Sequence, residues 1–215
     1  MEEDGTVLRP NNMFTIAIQY ICDMLIKVAN NQLMDSLRIQ FQSLLTTSHT
    51  RGVPGVFFKA TAHAHMSRTG HHSYTIRNLH SSSNDTIRLN LTDMLVFTNL
   101  GDLPPATTRP DRYIRPQRSN FSSFDAFAWD NPPILFQYTI SLKHPINLDG
   151  LKKLEGVFGD PSDSGQKWRL VFVVPETEAD KFEEQRYKSA TKYWEPRIDL
   201  YVLGLSPDDL WPIRA

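Results

Sequence analysis

FSSFDAFAWDNPPILFQYTISLKHPINLDGLKKL, residues 121–154, is the stretch on which the reading of this chain turns. It predicts strand, tight turn, strand, helix. Residues 124–129 are short and aromatic. Asp130, Asn131, Pro132 and Pro133 make a turn cluster, and residues 134–142 alternate apolar with polar, the pattern of a strand with two unlike faces. Ile134, Phe136, Tyr138, Ile140 and Leu142 are expected to face a core, with Gln137, Thr139, Ser141 and Lys143 on the other side. Asp125 falls on the partner strand. A carboxylate opposite a row of amide, hydroxyl and ammonium groups can hold a hard divalent cation and a phosphate together. The plainer reading is the polar outer face of an ordinary hairpin, since a half-buried antiparallel strand presents polar groups somewhere.

Outward from this hairpin, periodicity supplies the remaining elements. Leu148 opens a helix running to Phe158, and residues 168–174 form an apolar, β-branched strand ended by Pro175, suited to burial on both faces. Residues 178–188 read as a charged surface helix and residues 198–203 as a closing strand. Upstream, Pro54 can start a helix that Gly70 stops, with Val56, Phe57, Ala60 and Ala64 as its buried stripe and Lys59, His63 and Met66 together on another face. A first strand is expected at residues 74–79, with mixed structure over 86–97.

In RPDRYIRPQR, Arg109, Arg112, Arg115 and Arg118 recur every third residue, so in a polyproline-like segment they would align along one edge, with Tyr113 as a stacking surface. That is a phosphate-tracking strip leading to Asp125. The alternative is a solvated loop whose arginines pair with local acids.

At 215 residues, with 40% hydrophobic and 22% charged content, the chain can bury a sizeable single core. A formal net charge of -1 gives no overall basic field, so any nucleic-acid site must be local. The lone Cys22, in an apolar helical run, cannot form an internal disulfide. Residues 1–12 are acidic and turn-rich, without the basic start and apolar block of a secretory signal, and are expected to form a flexible leader. Over 14–45, apolar residues recur at helical spacing, but Asp23 and Lys27 exclude a membrane span, so a helical segment (13–48) packed on the core is expected. His63, His65, His71 and His72 invite zinc, yet residues two apart on a helix point to nearly opposite sides and no cysteine pair accompanies them. No glycine-rich phosphate loop occurs, which excludes an NTPase of that type.

Taken in order, RGVPGVFFKATAHAHMSRTG, YIRPQRSNFSSFDAF, LFQYTISLKHPINLDGLKKL, WRLVFVVPE and IDLYVLGL resemble the C-terminal nuclease-like domain of Crinkler effectors and retrotransposon hot spot proteins. The resemblance spans about residues 50–205. It implies an α/β domain over 49–215 with a degenerate PD-(D/E)xK, restriction-endonuclease-like mixed sheet flanked by helices, carrying an N-terminal helical addition. Asp125 matches the family's Asp, and Gln137 and Thr139 stand at the (D/E)xK positions, agreeing with the family's Gln-x-Thr. Lys59 replaces the acid of the first helix, whereas His63 keeps its His. The implied role is engagement of nucleic acid in a host nucleus. If the domain cuts, it performs magnesium- or manganese-dependent phosphodiester hydrolysis with Asp125 as metal ligand, Gln137 as neutral ligand or water positioner, Lys143 standing in for the missing lysine and His144 moving a proton. Lys59, His63 and the arginine strip would then bind phosphate. The competing expectation is a catalytically inactive interaction module that binds a host protein.

Overall fold

The computed structural model describes residues 36, 38, 39, 41, 43, 52–103, 111–117, 123–130, 132–188 and 192–211. The expected leader, Cys22, Arg109, Arg118 and most of the expected segment 13–48 lie outside the described residues. The elements are α1 (Gly52–Met66), β1 (Gly70–Asn78), β2 (Asn84–Leu91), β3 (Asp93–Phe97), β4 (Arg112–Pro116), β5 (Ala126–Ala128) and β6 (Ile134–Tyr138). They continue with α2 (Leu148–Phe158), β7 (Trp168–Pro175), the short α3 (Glu176–Ala179), β8 (Ile198–Leu205) and the short α4 (Pro207–Leu210).

All eight strands join one mixed sheet in the order β2-β1-β8-β7-β6-β5-β4-β3. β6, β7 and β8 are parallel neighbours, as are β3 and β4, while β1 and β5 run against the strands beside them. β2 and β3 lie at opposite edges of the sheet, yet only Thr92 separates them in sequence. One residue cannot cross a flat sheet of this width, because strands stand about 4.8 Å apart. The sheet therefore curls, and its two edges come together where the Thr92 N–H donates to the Asp111 carbonyl at 2.8 Å.

This curl creates two cores. α1 sends Phe58, Ala62 and Met66 into one face, against Ile76, Leu89, Tyr113, Phe136, Val171 and Leu203. The opposite face is covered by Leu148, Leu151 and Leu154 of α2, packed on Leu135, Phe127, Leu170, Phe172 and Val202. β7 reads as an unbroken apolar run for this reason: Val171 and Val173 face α1, and Leu170, Phe172 and Val174 face α2. Phe41, helical and buried, packs its ring on Phe58 and Trp211.

Three expectations need correction. The buried stripe of α1 is Phe58, Ala62 and Met66, whereas Val56, Phe57 and Ala64 are only half-buried; of the expected stripe only Ala60 is fully buried. A helix inside a curled sheet meets neighbours on most sides, so its burial follows no single stripe. The strand expected over 134–142 stops at Tyr138 and leaves Leu142 exposed. Its continuation is broken by hydroxyl groups: the Ser141 N–H donates to Thr139 Oγ1 at 3.0 Å and the Ser141 hydroxyl donates to the Lys143 carbonyl at 2.9 Å. The helix expected over 178–188 is confined to α3. Arg77 takes the carbonyls of Ala179 and Phe182 at 2.6 and 2.9 Å, and buried Phe182 and Gln185 anchor the chain beyond them in irregular form.

α2 matches its expectation end to end. Asn147 caps it by accepting from the Asp149 N–H at 3.0 Å, and Gly159 ends it at φ 82°. Gly150 in its first turn is dictated by proximity, since a Cβ there would stand 2.5 Å from Ser123 Oγ and 2.8 Å from Ser123 Cβ. That serine hydroxyl accepts from the Gly150 N–H at 3.0 Å and donates to the Asn147 carbonyl, tying the approach to β5 onto α2. Gly150→Ala is expected to lower unfolding free energy by about 1–3 kcal/mol through overpacking. Urea denaturation checks this: an unchanged midpoint would mean that the approach to β5 and α2 do not pack this closely.

Candidate functional site

The buried polar residues Asp125, Gln137 and Thr139 lie at the end of the sheet where β4, β6, β7 and β8 finish, the end at which ligands bind in open α/β sheets. Asp125 enters just before β5, and its N–H donates to the Phe136 carbonyl at 2.8 Å, extending the hairpin by one residue. Both carboxylate oxygens are engaged. Oδ1 accepts from Lys59 Nζ at 2.5 Å, and Oδ2 accepts from Gln137 Nε2 at 2.9 Å and from the Tyr138 N–H at 2.8 Å. Lys59 reaches in from α1 and stays 28% exposed, whereas Asp125 is 8% exposed. The pair thus has its carboxylate buried and its ammonium nearer to solvent.

The structure brings together Asp125, Gln137 and Lys59 of the residues singled out from sequence. Since Gln137 donates its amide nitrogen to Asp125, its Oε1 is left buried without a partner. An unpaired buried acceptor is uncommon and costs about 1–3 kcal/mol. Thr139 is buried one step further on, its N–H donating to the Val173 carbonyl at 3.0 Å.

His63 is enclosed. Its Nδ1 shares a hydrogen bond with the Tyr113 hydroxyl at 2.6 Å, and that hydroxyl meets the Tyr138 hydroxyl at 2.6 Å. Burial pushes the His63 imidazole well below its ordinary range, with the positive charges of Lys59 and Arg115 adding to the effect. Burial also raises both tyrosines. Accordingly His63 does not present a phosphate-binding surface, and Tyr113, fully buried, is no stacking platform for a base.

The arginine strip is likewise redrawn. Residues 112–116 form β4, so the period is two and not three, which sends Arg112 and Arg115 to opposite faces. Arg112 pairs with Asp93 at 2.9 Å. Arg115 shares the Tyr113 face, and its positive charge is felt by His63. Lys143 is exposed on the turn past β6, and no contact joins it to Asp125 among the described residues. His144 is half-buried, with its ring edge on Phe172; burial lowers its pKa, the negative charge of Asp125 opposes this, and Lys188 and Lys59 add to the lowering.

Gln185 was not legible as a site residue. It lies in the stretch expected to be a surface helix, but it is buried: Nε2 donates to the Leu142 carbonyl at 3.0 Å, and Oε1 accepts from the His144 N–H at 2.6 Å. It clamps the turn that carries Thr139 to His144. Nothing in the charged run around it marks this role. The histidines weighed for zinc point to other partners: His63 turns to Tyr113 and His65 to Tyr74, and among the described residues no group of three or more His, Cys, Asp or Glu gathers.

The neutral state of His63 ties stability to pH. With its folded pKa below the unfolded value near 6.5, the unfolded chain takes up more protons in acid, so this contribution is intact above about pH 6.5 and is lost as pH falls below it. His63→Gln is expected to flatten the fall in stability between pH 7 and 5 by up to about 1.4 kcal/mol per pH unit, the share of one proton. Urea midpoints across that range measure it, and an unaltered slope would show that His63 takes up protons alike in the folded and unfolded chain. No family model, curated protein or solved structure matches the chain.

Proposed function

We propose that this domain engages the phosphate backbone of nucleic acid at a nuclease-like centre that does not cut it. The observation that carries the reading is the contact of Lys59 Nζ with Asp125 Oδ1 at 2.5 Å. An ammonium holds the oxygen that a hydrolytic metal ion would need, and Gln137 and the Tyr138 N–H hold the other. The donor set is poor for magnesium or manganese, which favour several hard oxygens with at least one open carboxylate. Only the Gln137 Oε1 remains available. These residues therefore do not fit a hydrolytic metal centre.

Support for a restriction-endonuclease-like reading comes from order and position. An antiparallel hairpin (β5–β6) carries Asp125 at its start and Gln137 and Thr139 at its end, and a helix then leads to a parallel strand, β7, on the other side of β6. Support for phosphate comes from nearby positive charges: the Lys59 ammonium contacts the buried Asp125, the charge of Arg115 is felt at His63 and that of Lys188 at His144. A guanidinium and an ammonium suit a diester oxygen. A host nucleus is the compartment that the resemblance implies.

The test uses pure protein with supercoiled plasmid and with single-stranded DNA, in the presence of manganese. Salt-sensitive binding without cleavage is expected. Cleavage that Asp125→Ala abolishes would overturn the non-hydrolytic part, and binding indifferent to salt would overturn the phosphate part. Lys59→Glu is expected to weaken DNA binding by about 1–3 kcal/mol, because a charge-assisted contact becomes a repulsion. If DNA affinity is unchanged in a folded Lys59→Glu protein, the ligand binds elsewhere.

A further inference from the structure

Beyond α3 the chain runs irregularly to Lys188 and is fastened to the turn that follows β6. The Ile146 N–H donates to the Arg186 carbonyl and the Lys188 N–H donates to the Ile146 carbonyl, both at 2.9 Å, so Tyr187 forms a parallel bridge with Ile146. Gln185 clamps the same turn through the Leu142 carbonyl and the His144 N–H. Phe182 is buried, with its ring 5.2 Å from that of Phe172. The turn held in this way continues directly from Tyr138, whose N–H donates to Asp125.

The bridge sorts the side chains of this run, because successive residues of an extended segment point to opposite sides. Gln185 is buried and Tyr187 is half-buried against the core beneath α2, so Arg186 and Lys188 point outward, and both are exposed. At strand rise their Cα atoms stand about 6.6 Å apart. The acid of this outward row, Glu184, faces His80 at 3.7 Å. Among the described residues no ion pair or hydrogen bond engages the side chain of Arg186 or Lys188. The charges of Lys188, Lys59 and Asp125 all act on His144.

We propose that Arg186 and Lys188 form a second row of phosphate contacts, so that the ligand of the Lys59–Asp125 centre is a polynucleotide strand continuing along residues 186–188, not a single phosphate group. The inference rests on the phosphate reading of that centre. Two unpaired cations on a backbone fixed by hydrogen bonds are held at a set spacing, which suits successive phosphates of one strand. A lone phosphate bound at Lys59 would leave both without a role. Contacts of this kind fix the position of a strand and carry no base information, so binding tolerant of sequence follows.

The test measures fluorescence anisotropy, across a range of salt, with a labelled oligothymidylate of about twelve nucleotides and with a labelled thymidine dinucleotide. Three variants are compared, with circular dichroism to verify the fold: Arg186→Gln with Lys188→Gln, Lys59→Gln alone, and Lys152→Gln with Lys167→Gln. The last pair is exposed on α2 and ahead of β7, and removes the same charge as the first. Arg186→Gln with Lys188→Gln is expected to flatten the slope of log affinity against log salt for the long probe by about 1.4, or about 0.7 for each contact to a single strand. Binding of the dinucleotide is expected to be weaker and indifferent to this pair, or too weak to detect. Lys59→Gln is expected to weaken the long probe, and the control pair to leave the slope as it is. An unaltered slope in Arg186→Gln with Lys188→Gln, while Lys59→Gln still weakens binding, would overturn the second row alone. Equal flattening by the control pair, or an equal loss with the dinucleotide, would overturn it too. Indifference to Lys59→Gln, or no binding of the long probe, would overturn the phosphate reading of the centre and this inference with it.

Discussion

The link of one residue at Thr92 is the constraint from which the architecture follows. It makes residues 84–97 serve both edges of an eight-stranded sheet, so the sheet must close toward itself. Curling gives one face a small, enclosed volume and the other a broad, convex surface. α1 fills the first and α2 lies on the second. The finishing ends of β4, β6, β7 and β8 lie together beside Asp125, and the starting ends of β6 and β7 lie at the opposite end of the sheet.

Around Asp125, electrostatics rather than packing sets what is allowed. A carboxylate as buried as Asp125 survives because three donors reach it, one of them charged. Lys59 is able to be that donor because α1 lies within the curl and because its long stem leaves the ammonium at the rim, near water. His63, one turn further along α1, lacks such access and is held neutral beside two tyrosine hydroxyls. The residue types on this helix face thereby divide into a solvated cation and a dehydrated imidazole.

Elements formed by neighbours in sequence were legible, and those decided by distant partners were not. α2 and the apolar run of β7 follow from local pattern. Asp125 and Gln137 were identifiable as a pair because a tight turn places them on adjacent strands. The stripe of α1 was misjudged because the curl surrounds the helix, a tertiary effect with no periodic trace. The arginine spacing suggested a three-residue period, but pairing with β3 and β5 imposed a two-residue one. The irregular course of 180–188 depends on Arg77, about a hundred residues earlier, capturing two carbonyls at |i−j| of 102 and 105.

The position of β8 carries a consequence for how the chain assembles. β8 stands between β1 and β7, so the hairpin formed early by β1 and β2 reaches the centre of the sheet only through a strand at residues 198–205. A ribosome emitting residues at about 5–20 per second exposes that hairpin for several seconds before its neighbour exists. During this interval Ile76, Ile87 and Leu89, all buried at the end, have no sheet to rest on. Pairings of such long sequence separation are slow to form and vulnerable to wrong partners. Synthesis of this domain therefore has a window of aggregation risk that closes only with its last strand, and a chaperone that shields β-hairpins would raise its yield more than one that stabilises helices.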